Sequence, residues 1–160
     1  MTSEPDFSEL ERAIGYKFKD PALLERALTT KSYSNEMRHI NPECKDQDGL
    51  RTLGDAVLKT VLCDHLMTMG YCTKGEITEV KSTLENGVFL AQIGEGFHLE
   101  QNIRVGEGSF EQKHQEEPHV LSETIEALVA AIYLDRNYES AKSAVVNWYE
   151  PYWARFDKKE

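Results

Sequence analysis

The chain has 160 residues, 28 acidic and 18 basic side chains, and a formal net charge of -10. That length suits one domain with a sizeable core, and no stretch approaches the roughly 20 apolar residues of a membrane span. So acidic a balance excludes a generic polyanion binder, since affinity for nucleic acid comes mainly from Lys and Arg neutralising phosphates. Residues 1–6 show no periodicity and no apolar run, so they read as a tail without a signal or transit sequence. The protein is expected to be soluble and intracellular, in the cytoplasm, with nucleus or organelle left open. Cys44, Cys63 and Cys72 are odd in number and lack paired short spacing, so they read as reduced thiols.

Phe7 to Ile14 reads as a short helix closed by Gly15, which suits a left-handed cap. Asp20-Pro21 opens the next helix, with aspartate as N-cap and proline at the first helical position, and Leu23, Leu24, Ala27 and Leu28 form its inner face. Thr30 to Lys45 is polar and reads as a short helix plus an exposed loop. From Asp46 to Gly70, Leu50, Leu53, Val57 and Val61 recur at helical spacing beside a second ridge of Leu58, Leu62 and Leu66, which predicts a long central helix. Thr73 and Glu76 have capping-box spacing, and Ile77, Val80, Leu84, Val88 and Ile93 carry the period on to Gly94. Residues 97–117 lack a strong pattern and read as a mobile loop.

Pro118 restarts helix through Val120, Leu121, Ile125, Leu128, Val129 and Ile132. The last element, Glu139 to about Phe156, gathers Trp148, Tyr149, Tyr152 and Trp153 around Pro151, an aromatic cluster read as packing rather than as a base-stacking platform. No strand pattern, repeat or phosphate-cradling glycine loop is evident, so the architecture is all-α. The expected organisation is a tail at 1–6, a compact helical domain over 7–156 and a tail at 157–160.

Asp48, Arg51, Gly54 and Asp55 are spaced to lie along one stripe of the central helix. Glu123 and Glu126, three apart on the helix after Pro118, repel each other on one turn. A solvated helix edge explains any such acidic pair taken alone. Convergence of Asp55, Glu123 and Glu126 on a divalent cation explains them jointly, because hard ions such as Mg²⁺ take carboxylate oxygens plus water.

Four ordered blocks carry a family resemblance. Leu50-Arg51-Thr52-Leu53-Gly54-Asp55-Ala56-Val57-Leu58 resembles the ribonuclease III signature N-E-R-L-E-F-L-G-D-[AS]-V-L. Tyr16 to Pro21, Leu24, Ala27-Leu28-Thr29 and Ser32 to Glu36 resemble the opening F-K-D-P-x-L-L-x-x-A-L-T-H-x-S-Y-x-N-E. Gly75-Glu76-Ile77-Thr78 with Lys81 resembles E-G-x-L-T-x-L-[RK], and Ser122 to Ala127 followed by Ala131 to Asp135 resembles A-D-x-F-E-A-x-x-G-A-I-Y-L-D. Together they span roughly residues 9–150.

The resemblance implies the ribonuclease III endonuclease-domain fold, a homodimer and action on double-stranded RNA. It also implies Mg²⁺, with Mn²⁺ as a substitute, held by four carboxylates that fall here on Arg51, Asp55, Glu123 and Glu126. One of those positions is therefore a cation, another has lengthened from aspartate to Glu123, and a further acidic position falls on Lys74. Asp55, Glu123 and Glu126 are the implied catalytic and metal-binding residues, with Arg51 an altered ligand position. Lys31, Arg38, His39 and Lys81 are candidate RNA contacts, with ordinary surface charge as the alternative reading. Most relatives carry a separate double-stranded-RNA-binding domain; none follows before Glu160, so the expectation is either low RNA affinity, or a partner that supplies it, or a catalytic domain separated from its RNA-binding domain. Two functions follow: a Mg²⁺-dependent endoribonuclease of weakened activity, or a catalytically degenerate homodimer that binds RNA, scaffolds or associates with ribosomes.

Overall fold

A computed structural model of the protein describes residues 4–158. Of the two tails expected from the sequence, residues 1–3 and 159–160 lie outside the described residues. The architecture is all-α, and among the described residues the only β pairing is an isolated bridge between Thr29 and Arg104.

Two long helices form the centre: α4 (Asp48–Thr68) and α8 (Pro118–Asp135). Leu58, Val61, Leu62 and Leu66 of α4 are fully buried, as its period predicts. On α8 the run Ala127 to Ile132 is buried on every side, the mark of a helix enclosed by others. Each fully buried leucine or isoleucine contributes roughly 1.5–3 kcal/mol. The two helices meet closely at Gly54, where a Cβ would overlap the Glu126 carbonyl oxygen. Glycine is therefore the residue this crossing permits, and the crossing sets α4's acidic stripe against Glu123 and Glu126.

The surrounding helices begin where the sequence supplies caps. Asp20 accepts from the Ala22 N–H ahead of α2 (Pro21–Ala27), and Thr30 from that of Tyr33 ahead of α3 (Lys31–Met37). Thr73 and Glu76 form the capping box of α5 (Lys74–Leu84); each such cap is worth about 1 kcal/mol. The first helix, α1 (Ser8–Ile14), ends at Gly15 with φ of 72°.

Two expectations are corrected. The period from Thr73 to Ile93 is not one helix, because Asn86 caps a new one, α6 (Gly87–Gly96), by accepting from the Phe89 N–H. The turn moves Val88 off the apolar ridge, leaving it 68 % exposed. Residues 97–117 are built into two 3₁₀ turns and α7 (Glu107–Glu111). The backbone N–H of Arg104 donates to Leu28, that of Gly106 to the Ser32 hydroxyl and that of Glu107 to Glu36. The Arg104 guanidinium pairs with Glu25 and lies 4.9 Å over the Tyr33 ring. These partners come from α2, its C-cap Leu28 and α3, some seventy residues earlier, so no local pattern announces them.

The C-terminal aromatics pack, as the sequence suggests. On α9 (Tyr138–Trp148) and α10 (Glu150–Trp153), Trp148 donates to the Ile14 carbonyl and Trp153 to that of Val146, and Tyr149 between the two helices stacks on Phe89. Asp135, ending α8, accepts from the Tyr16 hydroxyl and from the backbone N–H groups of Lys19 and Asp20, tying the α1–α2 connection to the core.

Candidate active site

The α4–α8 crossing brings together the sequence-marked residues. Arg51, one turn after Asp48, donates to it through Nη1 at 3.3 Å and reaches across to α8, where Nη2 lies 2.8 Å from Glu123 Oε1. Its Nε is buried without a hydrogen-bond partner, so the guanidinium is held by its two outer nitrogens. Glu123 carries one methylene more than the aspartate of the motif it resembles, and that reach places its carboxylate on the arginine.

Asp55 is paired along its own helix. Its Oδ2 accepts from Lys59 Nζ at 2.9 Å, and the hydrogen bond to Asp55 raises the Lys59 pKa above its ordinary value. Lys59 was not among the residues singled out from the sequence, although the Asp-to-Lys spacing of four on one helix is a legible pairing signal. The Lys31 ammonium lies 3.5 Å from Asp48, so this candidate RNA contact already faces a carboxylate. Glu126 is left without an ion pair among the described residues. Burial, reinforced by the negative charge of Asp55, pushes its carboxyl up to about 7, with Arg51 pulling the other way.

The other candidate RNA contacts are dispersed. Arg38 and His39 are exposed at the end of α3. Lys81 lies against Glu85 one turn on, at 3.0 Å. A small cleft of about 200 Å³ opens beside Arg51, bounded by Lys31, Asp48, His114 and Glu123. A larger cleft, about 880 Å³, lies elsewhere, among Tyr16, Lys17, His65, Arg136 and Lys142, and includes none of the carboxylate cluster.

A shared divalent ion needs several oxygen donors turned toward one point. Among the described residues no group of three or more His, Cys, Asp or Glu side chains is set to hold a metal. The physical reason is the local cations: Glu123 is turned onto Arg51 and Asp55 onto Lys59. In this arrangement the donors do not fit a common ion. The three cysteines are free thiols.

Comparison with known proteins agrees with this architecture. A family model described as ribonuclease-III-like matches residues 20–152. Ribonuclease 3 of Hahella chejuensis is 32 % identical over 142 residues, covering 88 % of this chain and 59 % of that protein. Ribonuclease 3 of Francisella philomiragia is 34 % identical over 148 residues, covering 92 % and 60 % respectively. The chain thus spans about 59 % of the length of such relatives. Two structures of the nuclease domain of ribonuclease III from Campylobacter jejuni superpose with a TM-score of 0.82, at 28 % and 27 % identity. They cover 91 % and 98 % of this chain and 97 % and 100 % of their own, and one is described by its flexibility in a region involved in dimer formation. With matching helices, matching motif order and a family match across most of its length, the chain belongs to the ribonuclease-III-like family.

Proposed function

We propose that the chain acts as a ribonuclease III-type endoribonuclease domain on double-stranded RNA, as a homodimer, with hydrolysis weakened by the cation at position 51. The observation that carries this reading is the apposition of Asp55 and Glu126 across the Gly54 crossing, in a protein of this family. Glu126, with its carboxyl near neutrality, holds or accepts a proton at working pH, the property required of a general acid or base. Asp55, one turn from Arg51 on the same face, keeps a second carboxylate at the site. Mg²⁺, or Mn²⁺ in its place, is the cofactor the family relation suggests, and the closed Arg51–Glu123 pair makes weak loading the expected behaviour.

That same ion pair favours a second reading, a homodimer that binds duplex RNA, scaffolds or associates with ribosomes without cutting. A labelled long duplex RNA, incubated with wild-type protein and with Glu126→Gln in Mg²⁺ or Mn²⁺, separates the two. Slow cleavage that disappears in the variant supports the nuclease. Duplex binding without cleavage in either protein overturns it in favour of the second reading, and absence of both binding and cleavage overturns the nuclease and the duplex-binding form of the second reading.

A further inference from the structure

We propose that Arg51 and Glu123 are a matched pair that balances the carboxylate cluster internally, so that this protein holds no divalent ion tightly there, and that exchanging both residues together restores ion binding. The inference rests on the family reading above only for the lineage of the site.

Three cations face four carboxylates at the crossing. Lys31 and Arg51 flank Asp48, Arg51 reaches Glu123, and Lys59 holds Asp55. Arg51 is the cation that matters most, because it alone spans both helices. A guanidinium stays charged at any physiological pH, so the pair does not open by losing a proton. The enclosed Nε and the contacts of Nη1 and Nη2 to two helices limit withdrawal into solvent. A divalent ion entering this cluster would meet a fixed positive charge where it needs an oxygen donor, and the attraction that gathers hard ions would be largely spent already.

The geometry also couples the two positions. Glu123 is long enough to meet Arg51 at 2.8 Å, whereas aspartate would withdraw its carboxylate by one methylene. Glu123→Asp alone therefore weakens the pair and leaves the cation in place. Arg51→Glu alone supplies an oxygen donor but crowds it against the longer Glu123. Only Arg51→Glu with Glu123→Asp both removes the cation and makes room.

Isothermal titration with Mn²⁺ alone, without RNA, tests this. The double variant is expected to bind at least about tenfold more tightly than wild type, equivalent to about 1.4 kcal/mol, and to lose that gain when Asp55→Asn is added. Glu123→Asp alone is expected to match wild type. Arg51→Gln, which removes the charge and leaves a shorter, neutral side chain, is read beside them in case the double variant does not melt cooperatively, and should bind more tightly than wild type. Wild-type affinity in either the folded double variant or Arg51→Gln would overturn the proposal. Because no RNA is present, failure here leaves the nuclease reading standing, and failure of RNA cleavage leaves this proposal standing.

Discussion

Gly54 meets the backbone of Glu126 so closely that any Cβ at position 54 would overlap the Glu126 carbonyl oxygen. The crossing of α4 and α8 depends on this absence, because backbone, unlike the end of a flexible side chain, cannot step aside cheaply. Gly54→Ala should therefore cost at least about 2 kcal/mol and lower the melting temperature by roughly 4–8 °C. Gly75, near the start of α5 with nothing within 4 Å of its Cβ position, is the control. Gly75→Ala should be neutral or stabilising by up to about 1 kcal/mol, and equal losses in the two variants would refute the packing argument.

Glu126 should impose a pH dependence of definite sign. Its folded carboxyl is raised from 4.5 to about 7, so between those values the native state binds more protons than the unfolded chain and stability falls as pH rises. Above about 7 the loss is complete. Glu126→Gln cannot ionise, so its melting curve should be flatter between pH 5 and 7 and should lie above wild type at pH 8. After discounting for solvent screening of this partly buried side chain the difference is about 1 kcal/mol, or roughly 2–4 °C. Parallel melting profiles for the two proteins across that range would show that Glu126 is already relieved of its neighbours' charge.

The arrangement of the fold was largely legible in the residues that repeat or cap. The α4 ridges, the Asp20 and Thr73 caps, Gly15, and the restart at Pro118 all act through neighbours within one or two turns, where sequence spacing carries the physics. What escaped notice depends on distant partners. The anchoring of residues 104–107 rests on Ser32 and Glu36, and no period in 97–117 could report that. At the site, the stripe of Asp48, Arg51 and Asp55 was visible, yet whether Arg51 pointed at a neighbour, at α8 or at solvent was a question of helix crossing. The break at Asn86 is carried by a local signal, since Asn followed by Gly marks a boundary.

Asp135 predicts an acid-sensitive joint. Burial raises its pKa, but hydrogen bonds from Tyr16 and from the N–H groups of Lys19 and Asp20 outweigh this, leaving it below its ordinary 3.8. Its contribution is therefore full above about pH 4 and is lost as pH falls through the depressed folded value. Asp135→Asn should cost about 1 kcal/mol at neutral pH by weakening these hydrogen bonds, with the gap to wild type closing in acid. A gap that stays constant down to pH 2 would assign the loss to packing instead.

The claim that side-chain cations, and no tightly held metal, balance the carboxylate cluster is tested most directly by the melting temperature of the wild-type protein with EDTA and then with about 10 mM MgCl₂. A ligand that binds only the native state at a hundred times its dissociation constant stabilises by about 2.7 kcal/mol, which a domain of this size would register as a rise of roughly 5–10 °C. With Glu123 already paired to Arg51 and Asp55 to Lys59, the two curves should coincide to within about 1 °C. A rise of several degrees in Mg²⁺ that disappears in Asp55→Asn would contradict the account, showing that the cluster opens around an ion that Arg51 does not exclude.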